Sequence, residues 1–332
     1  MQNQGKASVV LFFGGKEEKT ISEISKNYIE QILHSIEEVN LTCIEIDDFL
    51  NSKECSFTKN KIRYKDKEIH SPYVIPCIHG VPGESGHLQA LLEQYQISYF
   101  GNNFESNLIC FNKILTKLWA EKIGIQTTPF IVISHFDKDT LKEAHDFYSE
   151  SNEKVFVKAT NQGSSIGCYY VDQKNELENK INQALEHSPY VILEKAFTPR
   201  ELEMAVFEYG NEIIASGPGE ILTNGEFYSF DSKYSDDSNV STSIETTQVS
   251  AEIKSKLQDL SKKLFKNLKL KDLARIDFFL EDNKIFLNEV NTFPGMTPIS
   301  LFPKLVEQSG ISMREFLYQK ISAHVQNTTK DL

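Results

Sequence analysis

The sequence predicts an α/β protein, α+β in part, arranged as three domains of which the first is built on a doubly wound parallel sheet. Three observations lead there. The first third alternates short apolar runs with helical patterns, the texture of βαβ units. Past Pro129 the apolar runs shorten into strands with only two helical stretches between them. The chain is also long enough, at 332 residues with 40% apolar side chains, to bury two or three substantial cores.

Each element follows from local pattern. Residues 8–13 form an apolar strand, closed by a tight turn at Gly14-Gly15. Residues 20–39 carry apolar side chains at helical spacing, at positions 21, 24, 28, 29, 32, 33 and 36. Strands are expected at 41–46 and 73–78, then a loop at 79–83 and a helix at 85–95. That loop lies at the carboxyl end of its strand, where doubly wound sheets bind ligands. A helix over 115–122 is closed by Gly124, the residue favoured just past a helix end. Strands follow at 130–133, 155–159, 168–171 and 190–194, with helices near 138–150 and 173–186. From Glu201 onward come further strands, a polar loop at 231–247, a helix at 250–266, a strand pair at 273–280 and 284–290, and helices at 298–308 and 312–325. Domain boundaries are placed at 1–112, 113–197 and 198–332.

The net charge of −12 argues against nucleic acid and anionic membranes as partners. The one basic stretch, 61–67, is short and is expected to be a solvated turn. No apolar run approaches a membrane span, and 8–13 is too short for a signal-peptide core. The five cysteines (43, 55, 77, 110 and 168) are odd in number and lack C-x-x-C spacing, as expected of free thiols in a reducing cytosol. A cytoplasmic location is the expectation.

The most informative segment is Ala274-Arg275-Ile276-Asp277-Phe278-Phe279, followed by Asn288-Glu289-Val290-Asn291-Thr292-Phe293-Pro294-Gly295-Met296-Thr297. Alternation puts Arg275 and Asp277 on one face of a strand, and Glu289 and Asn291 on one face of the next. If the two strands form a hairpin around Asp282-Asn283, one wall presents two carboxylates, an amide oxygen and a guanidinium. Such hard oxygens suit Mg²⁺, which binds alongside substrate phosphates. Arg275 offers a fork for a carboxylate or phosphoryl oxygen. A second constellation is Lys158-Ala159-Thr160-Asn161-Gln162-Gly163-Ser164-Ser165-Ile166-Gly167, a strand lysine leading into a loop whose backbone N–H groups can cradle phosphate. It lacks the G-x-x-x-x-G-K-[ST] order of a P-loop. A third is Val191-Ile192-Leu193-Glu194-Lys195-Ala196-Phe197, an apolar strand whose backbone and Glu194 can meet an adenine edge, with Glu201 placed for ribose hydroxyls.

The order Lys113, Lys158 with Gly-Ser-Ser-Ile-Gly, Glu-Lys, Arg-Ile-Asp, then Asn-Glu-Val-Asn-Thr-x-Pro-Gly-Met-Thr resembles the D-alanine–D-alanine ligase family of the ATP-grasp superfamily over essentially the whole chain. Gly14-Gly15, the loop from His79 to Gly86 with Leu88-Gln89, and Ser232-Lys233-Tyr234 extend the likeness. The resemblance implies an ATP-grasp fold with ATP between the central and C-terminal domains and two Mg²⁺ ions, replaceable by Mn²⁺, on Asp277, Glu289 and Asn291. It implies nucleotide contacts for Lys113, Lys158, Glu194, Lys195, Phe197, Glu201, Phe279 and Asn288, with Lys233 reaching the γ-phosphate from a lid over 231–243 that is mobile without ligand. Arg275 and the Gly295 backbone would face the oxyanion. Glu18, assisted by His79, would bind the ammonium of a first D-alanine, and Ser300 and Leu301 the carboxylate of a second. Ser164 and Tyr234 would bridge to Glu18. Two departures stand out. The family's Gly-Gly-x-Ser-x-Glu becomes Gly14-Gly15-Lys16-Glu17-Glu18, leaving Glu17 as an alternative to Glu18, and Gly-Glu-Asp-Gly becomes Gly83-Glu84-Ser85-Gly86.

The implied reaction joins two D-alanines through a D-alanyl-phosphate, for peptidoglycan precursor synthesis. D-lactate or D-serine as second substrate, another ATP-grasp amino-acid ligase, and a nucleotide-binding protein without turnover stay open as alternatives. Lys233-Tyr234 matches the peptide-forming members and favours D-alanine over D-lactate. Partners are then small molecules, with no nucleic acid and no membrane, and a homodimer is left open.

Overall fold

The computed structural model describes residues 6–15, 18–163, 165–222, 241–243 and 249–328. The first sheet has the order β2-β1-β6-β7 and is parallel throughout, from β1 (Ala7–Phe13), β2 (Val39–Glu45), β6 (Tyr73–Pro76) and β7 (Ser98–Tyr99). Both faces of β1 are buried, so it is a continuous apolar run. Helix α1 (Lys19–His34) stops five residues short of the predicted end at 39. Ser35 caps it, and Ile36 turns into the core as the chain returns to the sheet edge. Short α2 (Ile46–Asn51) leads to an antiparallel meander, β3 (Cys55–Thr58), β4 (Lys61–Tyr64) and β5 (Lys67–His70). The expected solvated turn at 61–67 is thereby corrected: only its centre turns, at Lys65 with φ +53°, and its flanks are strands.

Helix α3 (His87–Gln94) starts two residues later than expected, and α4 (Phe104–Phe111) was absent from the sequence reading. Asn112 separates α4 from α5 (Lys113–Lys122): with ψ 108° it breaks the first helix, and its side chain accepts from Ile114 and Leu115 N–H to start the second. The second sheet is antiparallel with order β10-β9-β11-β8, from β8 (Phe130–Ile133), β9 (Val155–Ala159), β10 (Cys168–Val171) and β11 (Val191–Lys195). Helices α6 (Lys138–Glu150) and α7 (Leu177–Leu185) cover one face, burying Tyr148, Ile181 and Ala184 against Val155, Val157 and Leu193.

The third sheet is antiparallel with order β14-β13-β12-β15-β16. Its strands are β12 (Arg200–Tyr209), β13 (Glu212–Leu222), β14 (Ser241–Ser243), β15 (Leu273–Glu281) and β16 (Lys284–Asn291). The short β14 corrects the expected uninterrupted loop at 231–247. The rest of that segment lies outside the described residues, as do Lys16, Glu17 and Ser164. The β15–β16 turn is Asp282-Asn283, with φ +47° and +62°, the left-handed pair that a two-residue hairpin requires. Helix α8 (Ala251–Asn267) packs on β12 and β13 through Ile253, Leu257 and Leu264. Helices α9 (Leu301–Gln308) and α10 (Met313–Thr328) fill the space between the first and third sheets. There, edge-on aromatic pairs join the first sheet, the third sheet and α10: Phe100 to Phe293 (6.3 Å), Phe100 to Phe316 (5.7 Å) and Phe207 to Phe316 (5.5 Å). Among the described residues no helix is long and apolar enough to cross a membrane.

Candidate active site

The pairing of β12, β15 and β16 lays one chemical gradient along a sheet face. Glu201 lies opposite Phe279, Glu203 opposite Asp277, and Asp277 opposite Glu289, while Arg275 faces Asn291. A bulge between Asp277 and Phe278 leaves Asn288 as the extra residue on β16. At one end Phe197, Phe279 and Phe286 form an aromatic floor, with Phe197 centred 5.8 Å and 5.5 Å from the other two rings. At the other end stands Arg275, four residues and about 13 Å further along the strand. Between them is a row of three carboxylates.

Arg275 grips Asp277 with two bonds, Nε to Oδ1 (2.8 Å) and Nη2 to Oδ2 (2.7 Å), and its Nε lies 3.2 Å from Glu203 Oε2. Burial works against its charge, but Asp277 and Glu203 more than offset that and hold the guanidinium well above its ordinary pKa. Asn291 donates its amide nitrogen to Asp277 Oδ2 (2.9 Å), which leaves its carbonyl oxygen as an acceptor. Asp277, Glu289 and Asn291 thus offer hard oxygens of the kind Mg²⁺ takes. Among the described residues no group of three or more His, Cys, Asp or Glu forms a self-sufficient metal cage. Two carboxylates and an amide fit an ion that draws its remaining ligands from water and phosphate, and the donor set fits Mg²⁺ on those terms.

The second sheet and helix α5 supply the cations. Lys158 Nζ donates to Glu194 Oε2 (2.6 Å), and Lys117 Nζ sits 3.0 Å from Glu194 Oε1 while donating to Thr128 Oγ1 (2.7 Å). Burial alone would raise the Glu194 pKa; Lys117 and Lys158 drive it the other way, to about 2. Lys158 is raised despite its own burial, because Glu194 lies against it. Lys117, 1% exposed, is lowered by burial, with Glu194 opposing. Lys113, the first residue of α5, donates to Gln162 O (2.6 Å) and stands 4.0 Å from Glu289 Oε2. It thereby links the glycine loop to the carboxylate row.

That loop also reaches the first sheet: a Cβ on Gly163 would lie 3.1 Å from Glu18 Oε1. Glu18, the residue before α1, is buried at the carboxyl end of β1. Behind it, Ser22 accepts from Gly14 N–H (2.8 Å) and donates to Cys77 O (2.6 Å). Ser25 Oγ is 3.1 Å from His79 Nε2 and accepts from Met296 N–H (3.2 Å). Burial lowers the His79 pKa to about 4, with a backbone hydrogen bond at Phe293 opposing, so the ring is neutral at pH 7. Glu84 accepts from Gly80 N–H (2.9 Å) and Phe293 N–H (3.4 Å). Burial of its carboxyl raises its pKa to about 8; the Gly80 bond opposes this and the charge of Glu18 adds to it.

The third wall is the turn after β16. Thr297 Oγ1 and Ser300 Oγ are 2.7 Å apart, and Ser300 precedes α9 as its N-cap. A Cβ on Gly295 would fall 2.8 Å from Ser300 Oγ, so any other residue here would push that hydroxyl aside. Leu301, expected with Ser300 at the second carboxylate, follows as the first residue of α9. Its side chain is buried in the core against Gly219, and its backbone N–H belongs to the first turn of α9.

The structure therefore gathers Glu18, His79, Lys113, Lys158, Glu194, Phe197, Glu201, Arg275, Asp277, Phe279, Glu289, Asn291, Gly295 and Ser300 along connected walls. Lys195 bonds Pro129 O through its backbone N–H, and Asn288 sits at the bulge. Ser164, Lys233 and Tyr234 lie outside the described residues. Sequence reasoning missed Lys117, Glu203, Glu84 and Phe286. Lys117 follows Lys113 by one helical turn, and Glu203 follows Glu201 by one strand period, so both carried a spacing signal.

The chain is similar to known proteins in sequence and overall structure. The family model described as "D-ala D-ala ligase C-terminus" matches residues 118–322. A D-alanine–D-alanine ligase of Shewanella sediminis is 41% identical over 328 residues, spanning 96% of this chain and 98% of the relative. One from Vibrio atlanticus is 43% identical over 320 residues, spanning 93% and 96%. Among solved structures, D-alanyl-alanine synthetase A from Vibrio cholerae superposes with a TM-score of 0.89 at 36% identity, covering 96% of this chain and 98% of that one. A D-alanine–D-alanine ligase from Aeromonas hydrophila gives 0.80 at 36% identity, covering 95% and 99%. The chain has the ATP-grasp fold and belongs to the D-alanine–D-alanine ligase family.

Proposed function

We propose that this chain joins two D-alanines into D-alanyl-D-alanine at the expense of ATP, for peptidoglycan precursor synthesis. The observation that carries the reading is the sheet face that runs from an aromatic floor, past a carboxylate row, to Arg275 and the Gly295–Ser300 turn. It matches the length and polarity of a nucleotide triphosphate followed by a small zwitterion. In this reading the adenine rests on Phe197, Phe279 and Phe286, with the backbone of the β11 end and Lys195 at its edge. Glu194 can still accept from the adenine amine, because a carboxylate has about four acceptor positions and the two lysines use one on each oxygen. Glu201 takes the ribose, and Asn288 at the bulge adjoins the nucleotide.

Lys113, Lys158 and, by motif order, Lys233 hold the phosphates. Lys158 keeps two further donors beyond its bond to Glu194. Asp277, Glu289 and Asn291 would hold two Mg²⁺ ions, or Mn²⁺, which when bound neutralise charge on the transferring phosphoryl group. Glu18 accepts the ammonium of the first D-alanine, with neutral His79 beside it; neutrality matters, because an imidazolium would repel that ammonium. The carboxylate of this substrate attacks the γ-phosphorus, giving a C–O–P acyl-phosphate and ADP. The amine of the second D-alanine then attacks the carbonyl carbon, loses a proton and expels inorganic phosphate. Arg275 and the Gly295 N–H face the oxyanion that forms. Ser300 and the Leu301 N–H, at the start of α9, receive the second carboxylate. By motif order, Ser164 and Tyr234 would join Glu18 in closing the site around the first substrate.

A panel of amino and hydroxy acids assayed for ADP release tests the reading. D-alanine alone should support turnover, and D-alanine with D-lactate at pH 7 should yield mainly dipeptide. Release driven by L-amino acids but not D-alanine, or ATP binding without any amino-acid-dependent release, would replace it with one of the other ligase or binding readings.

A further inference from the structure

Asp277 cannot serve Arg275 and a divalent cation in the same way at once. Both its oxygens accept from the guanidinium at 2.7–2.8 Å, and Oδ2 accepts from Asn291 as well. Of about four acceptor positions on Asp277 these bonds take three, so a cation approaching it competes with that fork. A largely enclosed arginine that loses its partner leaves an uncompensated charge, which is costly. The structure contains a second partner already in place. Glu203 lies directly across the β12–β15 ladder from Asp277, 7% exposed at the side chain, with Oε2 at 3.2 Å from Arg275 Nε.

We propose that Glu203 is a positioning residue that takes over Arg275 when a divalent cation takes Asp277. In the ligand-free molecule Arg275 divides itself between the two acids, mostly on Asp277. On loading, the guanidinium turns toward Glu203, which keeps the arginine buried, charged and aimed at the reacting carbonyl while releasing Asp277 oxygens. Glu203 therefore lowers the free energy of cation binding without touching the cation, as an outer partner of a ligand does. No other acid is placed for this by the ladder: Glu201 sits two residues toward the aromatic floor, opposite Phe279, and Glu289 faces Asp277 from the far side. Neutralising Glu203 should leave Arg275 committed to Asp277.

This inference rests on the metal assignment made above, and the experiment separates the two. Mn²⁺ binding to the full-length protein with a non-hydrolysable ATP analogue is followed by the loss of the free-ion paramagnetic resonance signal, so no turnover is involved. Wild type, Glu203→Gln and Glu289→Gln are compared, each checked for an intact cooperative thermal transition. The expected result is Mn²⁺ affinity lowered on the order of tenfold or more by Glu203→Gln, as for other outer-partner substitutions, with partial rescue by Glu203→Asp. Unchanged affinity in folded Glu203→Gln, with Glu289→Gln impaired, overturns the takeover and leaves the metal assignment standing. Unchanged affinity in both variants overturns the metal assignment itself. Should Glu203→Gln fail to fold, a crystal structure of the wild type with Mn²⁺ and the analogue decides. Arg275 on Glu203 supports the proposal, and Arg275 still bidentate on Asp277 beside a bound ion overturns it.

Discussion

Arg275 and Glu84 show how single side chains carry the site's electrostatics. The two parallel bonds from Arg275 to Asp277 need a planar fork, which an ammonium cannot supply. Arg275→Lys should therefore lower kcat on the order of 10²-fold or more, as loss of an oxyanion donor does. Steady-state kinetics check this, and an effect confined to KM would move Arg275 from transition-state stabilisation to substrate binding. Glu84 makes a pH prediction. Its pKa rises on folding from 4.5 to about 8, so the native chain binds this proton where the unfolded chain has lost it. Its contribution to stability is fully present below 4.5 and falls as pH rises to about 8. His79 has the opposite sense: depressed to about 4 from 6.5, its effect is complete above 6.5. Between pH 6.5 and 8 the two are therefore separable. Urea titrations should show wild type losing stability relative to Glu84→Gln across that window, and a constant difference would contradict the buried, protonated Glu84.

At the scale of elements, the hairpin β15–β16 was the most legible part of the chain, because the alternation of Arg275 with Asp277 and of Glu289 with Asn291, an Asp-Asn turn and a dense run of oxygen ligands all agree. The meander β3–β5 was not. Its middle and last strands each bury one apolar side chain, Ile62 and Ile69, between charged neighbours, too little pattern to separate strand from turn. Helix α4 was missed because its boundary with α5 rests on one asparagine capping a helix it also ends. Lys117 shared a helix face with Lys113, but its role was hidden for a different reason: its partners Glu194 and Thr128 come from other elements, and no local rule pairs them. The loop 79–86 is legible in motif but not in shape. A Cβ at Gly83 would fall 2.1 Å from Ile78 O, inside any tolerable contact. Gly83→Ala must shift the loop that carries His79 and Glu84, at about 1–3 kcal/mol as for other overpacking. Thermal melts with substrate kinetics test it. The KM for D-alanine should rise while that for ATP, bound on other walls, stays the same.

Across the whole molecule, the site exists only because three sheets meet, and that meeting was the least legible feature. Class and order of the modules follow from local texture, whereas the contacts that lock them are long-range polar bonds. Asn102 donates to Leu273 O and Thr292 O and accepts from Lys271 N–H, all at 2.8 Å. Asp272 accepts from Gly101 N–H (2.8 Å) and pairs with Lys320 of α10 (2.8 Å). Asn102→Ala would leave three backbone groups without this partner, at about 3 kcal/mol or more. Denaturant unfolding should register that loss, and a change under about 0.5 kcal/mol, the usual range of a surface substitution, would mean the clamp contributes little.

The central claim is that this joined site activates one amino acid as an acyl-phosphate before the second attacks. Oxygen transfer tests it most directly. With D-alanine labelled by ¹⁸O in its carboxylate, the oxygen that attacks the γ-phosphorus leaves with the phosphate when the amide bond forms. Mass spectrometry should then find one ¹⁸O in inorganic phosphate for each dipeptide made. Dipeptide accompanied by unlabelled phosphate would contradict the account.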